Sequence, residues 1–251
     1  MQTVLLTGAA RGIGYKIAEI LVNKYNLILI DKNEIELENS ATQLRHKNNM
    51  AQIQSYVCDV GSVKQVAQLH KNLLENNFMP HILINNAGYG GPFQNLCDIS
   101  YEQWDLVMNT NLKSIFNFAK ICLPSMQQAE WGRIINIASI QGLIGAKLSS
   151  TYIASKHGVI GYTKAIAAEY GQYSITCNAI CPGYVDTAMG VQEDEIPNHF
   201  KNVITRTPLK QIGQPYDIAK LVEFLISDAA KFINGSIITI DGGLMADIGL
   251  T

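Results

Sequence analysis

Seven short apolar runs punctuate the chain: TVLLTG, NLILID, QIQSYVCDV, HILINNAG, GRIINIAS, ITCNAICPG and GSIITIDGG. They are rich in β-branched residues and apolar almost throughout, the pattern of strands buried on both faces. Longer stretches with helical spacing lie between them, at 13–24, 34–46, 62–76, 100–126, 151–171 and 215–227. Ser62 and Ser100 stand where helix N-caps are expected. The alternation predicts an α/β chain with one domain over 1–251. Its core is a doubly wound, seven-stranded parallel sheet with helices on both faces and right-handed crossovers. One stretch, 187–211, breaks the alternation. It holds an acidic cluster, Pro197 and Pro208, and reads as a lid over a site, with a surface excursion as the alternative.

Composition narrows the function more than the fold. The chain has 251 residues, 47% of them hydrophobic, enough for a substantial core. Net charge is −2, from 19 basic and 21 acidic residues. That leaves no basic field for a nucleic acid or an anionic membrane. No apolar run approaches the ~18 residues of a spanning helix. A strand pattern begins at the third residue with no leader pattern before it, so a cytoplasmic protein is expected. The cysteines, Cys58, Cys97, Cys122, Cys177 and Cys181, lack C-x-x-C spacing and lie mostly within apolar runs. Reduced, buried thiols are expected. The five histidines show no metal-ligand spacing, and no metal is expected.

After the first strand comes TGAARGIG, with Gly8, Gly12 and Gly14 spaced G-x-x-x-G-x-G and Arg11 and Ile13 between them. A glycine turn between a strand and a helix lets backbone approach a pyrophosphate, with the helix N–H groups aimed at it. At the first βα turn of an α/β chain the pattern predicts nucleotide binding in a Rossmann fold; alone, the triplet also reads as a merely tight turn. Asp31 ends the second strand, near the spacing of a ribose-binding acid. A carboxylate there accepts from ribose hydroxyls and repels a 2′-phosphate. NAD(H) is therefore favoured as cofactor. NADP(H) is the alternative, because Arg11 and Lys32 could each approach a phosphate.

Within STYIASKHG, Tyr152 and Lys156 sit one helical turn apart, so both polar tips leave one face. Taken alone, the pair also reads as a surface lysine over a half-buried tyrosine. As a functional pair it is a phenol beside an ammonium. A cation favours the phenolate and desolvation opposes it. Bringing the phenol from about 10 to about 7 means about 4 kcal/mol of preferential anion stabilisation.

Taken together, these motifs resemble the short-chain dehydrogenase/reductase family over nearly the whole chain. Thr7, Gly8, Gly12 and Gly14 match its T-G-x-x-x-G-x-G turn, and Asn85, Asn86, Ala87 and Gly88 its N-N-A-G strand end. Asp59, followed by Val60, matches the acid at the third strand's end. Asn111, Ser139, Tyr152 and Lys156 match its catalytic Asn, Ser, Tyr and Lys. Pro182–Gly183 match its P-G turn, with Val185 and the nicotinamide-contacting Thr187 after it. The resemblance implies that Asp59, Val60, Asn85, Ala87 and Gly88 help hold the dinucleotide. Thr7 and Asn85 also read as ties between turns, and Asn111 as a bend in its helix. Lys156 would bind the nicotinamide ribose, Ser139 the substrate oxygen, and Asn111 a relay water on Lys156. Tyr152 would be the general acid/base. Tyr89, Gln141, Ile144, Tyr184 and Met189, with the lid, would shape the substrate pocket.

Within the family the chain is similar to 3-oxoacyl-carrier-protein reductases and to 3-hydroxybutyrate dehydrogenases. Glu130, Glu169 and Gln172 stand where the former are expected to carry basic residues for an acidic carrier. Gln141 and Ser149 stand where the latter carry a carboxylate-holding His and Lys. The expectation is an NAD(H)-dependent oxidoreductase interconverting a small or medium secondary alcohol and its ketone. Carrier-protein reduction with NADPH is the alternative enzyme. A dinucleotide-binding sensor or scaffold is the non-enzyme alternative. The family also implies a homotetramer, a dimer of dimers, through helices within 104–118 and 153–170 and the final strand.

Overall fold

In the computed structural model, which describes residues 1–187 and 199–247, strand and helix alternate along the chain. Met189 and the 188–198 part of the predicted lid lie outside the described residues. The first half runs β1 (Thr3–Thr7), α1 (Gly12–Leu21), β2 (Asn26–Asp31), α2 (Glu34–Lys47), β3 (Ile53–Val57), α3 (Val63–Glu75) and β4 (Ile82–Asn85). Then come α4 (Tyr101–Met108), α5 (Ser114–Gln128), β5 (Gly132–Ile137), α6 (Ser150–Tyr170) and β6 (Ile175–Pro182). The chain closes with α7 (His199–Arg206), α8 (Pro215–Leu225) and β7 (Ile237–Ile240).

The strands form one parallel sheet in the order β3-β2-β1-β4-β5-β6-β7. Strand order reverses between β1 and β4. That opens a crevice beyond their C-terminal ends, where a doubly wound sheet binds ligands. The side chains of β1 alternate between two cores, as the period of a strand requires. Val4 and Leu6 pack with Ile17 and Leu21 of α1 and Val222 and Leu225 of α8. Leu5 packs with Leu69 and Leu73 of α3, Phe118 of α5 and Ile166 of α6. Each such side chain contributes about 1.5–3 kcal/mol relative to exposure.

Ser62 and Ser100 cap α3 and α4, each accepting a backbone N–H three residues on. The predicted helix over 100–126 is interrupted. Between α4 and α5, Asn109–Lys113 form a π-helical turn. The cause is tertiary: Asn111 is held by the backbone of Tyr89, as described below. The 187–211 stretch contains α7, which the sequence pattern did not reveal. Its buried Val203 anchors it, and Leu209 N donates to Gly242 O at 3.2 Å. Among the cysteines, Cys97 departs from expectation. It is exposed in the 3-10 turn Leu96–Asp98, whereas Cys58, Cys122, Cys177 and Cys181 are buried and free. No helix among the described residues is long and apolar enough to cross a membrane.

Candidate active site

The glycine turn is shaped by close backbone approaches. Gly8 has φ +65°, and a Cβ on Gly14 would lie 1.9 Å from the Gly8 carbonyl oxygen. Only glycine fits Gly14. The turn is tied to the end of β4. Thr7 Oγ1 accepts from the N–H groups of Asn86 and Ala87, both at 3.0 Å. Asn86 Nδ2 donates to the Thr7 and Gly8 carbonyls, both at 3.0 Å. Sequence reasoning named Asn86 only as part of a motif; the structure makes it the clamp of the turn. Asn85 turns the other way: its Nδ2 donates to Asn136 Oδ1 at 2.8 Å, in a buried bond between β4 and β5. Its side chain is a structural tie, one of the two readings its position allowed.

The turn suits a pyrophosphate. Arg11, at the N-cap of α1, makes no side-chain cap bond, and the first turn, which includes Ile13, has no acidic residue. The N–H groups there and the positive end of the helix dipole are left for an anion. Gly12 faces Thr187 from across the chain, a Cβ on it lying 3.6 Å from the threonine methyl. Asp31, the candidate ribose-binding acid, lies against the turn. Its carboxylate accepts from Ala10 N and Asn33 N, both at 3.1 Å. Asp59 is exposed and accepts from Gly61 N at 2.9 Å, while Val60 beside it is buried. Pro182 ends β6, Gly183 N donates to Ile240 O at 3.0 Å, and Val185 bridges to Gly213.

At the other end of the crevice, α6 brings Tyr152 and Lys156 together. The lysine is 4% exposed, and its Nζ lies 5.5 Å from the tyrosine ring centroid. Nζ donates to the Ile137 carbonyl at 2.8 Å. Burial pushes Lys156 down to about 8, with the Cys181 thiol acting the other way. Burial pushes Tyr152 up to about 12, against a hydrogen bond with Ser139. This reverses the expected direction for the phenol. The ammonium lies over the ring and spends a hydrogen bond on Ile137, so burial outweighs it. The protein's own groups hold a neutral phenol at neutral pH.

Asn111, 1% exposed, is locked from three sides. Its Oδ1 accepts from Tyr89 N at 2.8 Å, and its Nδ2 donates to Tyr89 O at 2.9 Å. Nδ2 also donates to Ser155 Oγ at 3.0 Å, which donates to the Tyr152 carbonyl at 2.7 Å. The hydrogen-bonding part of Ser155 was missed by sequence reasoning; its only signal is its place between Tyr152 and Lys156. A Cβ on Gly88 would lie 3.6 Å from Asn111 Oδ1 and 3.7 Å from Lys156 Nζ, so Gly88 lies between them. Ser139 Oγ accepts from Gln141 N at 3.1 Å, fixing the hydroxyl and the loop after β5. Tyr89 and Ile144 are partly exposed, at 42% and 41%. Tyr184 is half-buried, and burial raises its phenol despite Arg206 nearby. Among the described residues no group of three or more His, Cys, Asp or Glu could hold a metal ion.

Comparison with known proteins gives one consistent answer. A family model described as enoyl-(acyl carrier protein) reductase matches residues 8–245. The 3-oxoacyl-(acyl-carrier-protein) reductase of Chlamydia trachomatis is 34% identical over 244 residues, 97% of each chain. The D-beta-hydroxybutyrate dehydrogenase of Cupriavidus necator is 31% identical over 258 residues, 98% of each chain. Among solved structures, a variant of actinorhodin polyketide ketoreductase with NADPH superposes with a TM-score of 0.90. It is 32% identical, with 97% of each chain covered.

Proposed function

The chain belongs to the short-chain dehydrogenase/reductase family of oxidoreductases, and on that footing we propose that it interconverts a small or medium secondary alcohol and its ketone with NAD(H). The observation that carries the reading is the cluster of Tyr152, Lys156 and Ser139, together with a glycine turn whose Ala10 N–H is held by Asp31 at the end of β2.

When bound, the dinucleotide supplies or takes the hydride. Gly8, Gly12, Gly14 and the first turn of α1 hold its pyrophosphate. Asp31 accepts from the adenosine ribose, and Lys156 donates to the nicotinamide ribose. Ser139 Oγ donates to the substrate oxygen. Tyr152 gives that oxygen a proton in reduction and takes it back in oxidation. Its raised pKa keeps the proton in place for reduction at neutral pH. Asn111 and Ser155 fix the Tyr89 backbone against the turn of helix that carries Tyr152. Tyr89, Gln141, Ile144 and Tyr184 border the pocket where the substrate's carbon groups sit.

A second reading is favoured by the name of the Chlamydia trachomatis relative and by the NADPH in the ketoreductase structure. It is reduction of a 3-oxoacyl group on a carrier protein with NADPH. Both readings put the same proton on Tyr152. Against the second stand Asp31 at the ribose position and the exposed Glu130, Glu169 and Gln172, which offer an acidic carrier no positive charge. The deciding experiment is titration of the purified protein with NADH and NADPH. Tighter binding of NADH supports the first reading. NADPH binding tighter by about tenfold, about 1.4 kcal/mol, overturns it.

We also propose assembly through the outer face of α4, α5 and α6. An apolar groove of about 560 Å³ there is lined by Met108, Leu112, Phe116, Gly158, Gly161 and Tyr162. Phe116 stands 48% exposed beside the Gly161 hollow, where a Cβ would meet nothing within 4 Å. A projecting ring beside a hollow suits a two-fold contact, in which each copy fills the other.

A further inference from the structure

Arg11 lies in the glycine turn and Glu36 in α2, yet their side chains meet, with Nη1 of Arg11 3.5 Å from Oε1 of Glu36. A ring of contacts sets them face to face, with Asp31 as its hub. Ala10 N and Asn33 N donate to the two oxygens of the Asp31 carboxylate, each at 3.1 Å. Asn33 Oδ1 accepts from Glu36 N at 3.2 Å, which starts α2. Ser40 Oγ donates to the Ala10 carbonyl at 2.6 Å, joining the helix to the turn a second time. The path runs from Arg11 through Ala10, Asp31 and Asn33 to Glu36, and the ion pair closes it.

A 2′-phosphate on a bound dinucleotide would stand beside Asp31. Arg11 is the cation of the turn, and a guanidinium is a strong partner for a phosphate. Here that guanidinium already faces a carboxylate. The pair is exposed, 68% for Arg11 and 40% for Glu36, so it contributes little to the fold. A weak pair of this kind is free to act on a ligand instead.

We propose that Glu36 is a second cofactor-discriminating residue, which occupies Arg11 and adds a carboxylate near Asp31, so that a 2′-phosphorylated dinucleotide is disfavoured. The proposal rests on reading Asp31 as the ribose-binding acid. Asp31 rejects the phosphate directly. Glu36 rejects it by withholding its natural partner and by like charge.

The test is titration of the intact enzyme with NADH and with NADPH, for wild type, Glu36→Gln and the Arg11→Ala/Glu36→Gln double variant. Glu36→Gln should improve the affinity for NADPH relative to NADH by about fivefold, the size of one screened charge contact. The double variant should lose most of that gain, and added salt should shrink it. A ratio that moves by less than about twofold in Glu36→Gln overturns the proposal. So does a gain that persists undiminished without Arg11. The wild-type ratio tests Asp31, whereas its change on substitution tests Glu36, so the two can fail separately.

Discussion

The Lys156 ammonium lies 5.5 Å from the centre of the Tyr152 ring and donates to the Ile137 carbonyl at 2.8 Å. Both side chains are set by one turn of α6, and the Ile137 carbonyl aims the lysine. Burial pushes the two groups toward their neutral forms, Tyr152 up to about 12 and Lys156 down to about 8. For Tyr152 that is the state the proposed proton donor requires. An oxidised nicotinamide, being cationic, would draw the phenol back toward the phenolate.

The pH dependence follows from those directions. On the proposed mechanism, reduction needs the proton on Tyr152 and the charge on Lys156. Its kcat/KM should be flat near neutrality and fall as pH rises through about 8, where Lys156 deprotonates. Alcohol oxidation needs the phenolate and should grow with pH over the neutral range. Initial rates in both directions, in buffers of constant ionic strength, check this. A reduction rate that rises through that window contradicts it.

Lys156 should also cost stability. A lysine with a lowered folded pKa carries its full penalty below about 8. The penalty fades as pH rises from there toward the ordinary lysine value. Lys156→Met should raise the unfolding free energy by about 2 kcal/mol at neutral pH, after allowing for the lost bond to Ile137. The gain should vanish in strongly alkaline buffer. Urea denaturation at two pH values measures it, and a variant less stable than wild type at neutral pH would show the penalty to be absent.

Gly14→Ala places a methyl 1.9 Å from the Gly8 carbonyl oxygen, where nothing flexible can yield. The expected loss is about 1–3 kcal/mol, together with loss of dinucleotide binding. Gly90→Ala is the control. A Cβ there meets nothing within 4 Å, and its stability should stay within about 0.5 kcal/mol of wild type.

Gly161→Leu should fill the hollow beside Phe116. Light scattering should show smaller assemblies for the variant than for wild type, with an unchanged circular dichroism spectrum. A monomeric wild type would refute assembly through this face.

Much of this was legible in the sequence, and the misses share a cause. The strands announced themselves because both of their faces are buried, so β1 and β2 read as nearly unbroken apolar runs. The glycine turn was legible because positive φ and close approach leave few residue choices. The π-helical turn was legible only as a bend at Asn111, because the apolar spacing runs on through 109–113. Its origin is a bond from Asn111 to Tyr89, 22 residues away. The hydrogen-bonding part of Ser155 was not legible for the same reason, its partner Asn111 being 44 residues away. Cys97 sits beside Leu96 and looks like core, but a 3-10 turn holds both in solvent. The direction of the Tyr152 shift was missed because proximity to a cation can be read from spacing, whereas depth of burial cannot.

The central claim is that Tyr152 moves the proton while the dinucleotide exchanges the hydride. It is tested most directly by following nicotinamide absorbance with a panel of ketones, for wild type and Tyr152→Phe side by side. The account predicts ketone-dependent oxidation of NADH by wild type. It predicts a kcat lower by about 100-fold or more in the variant, with NADH affinity retained. A Tyr152→Phe enzyme that turns over at the wild-type rate would contradict it.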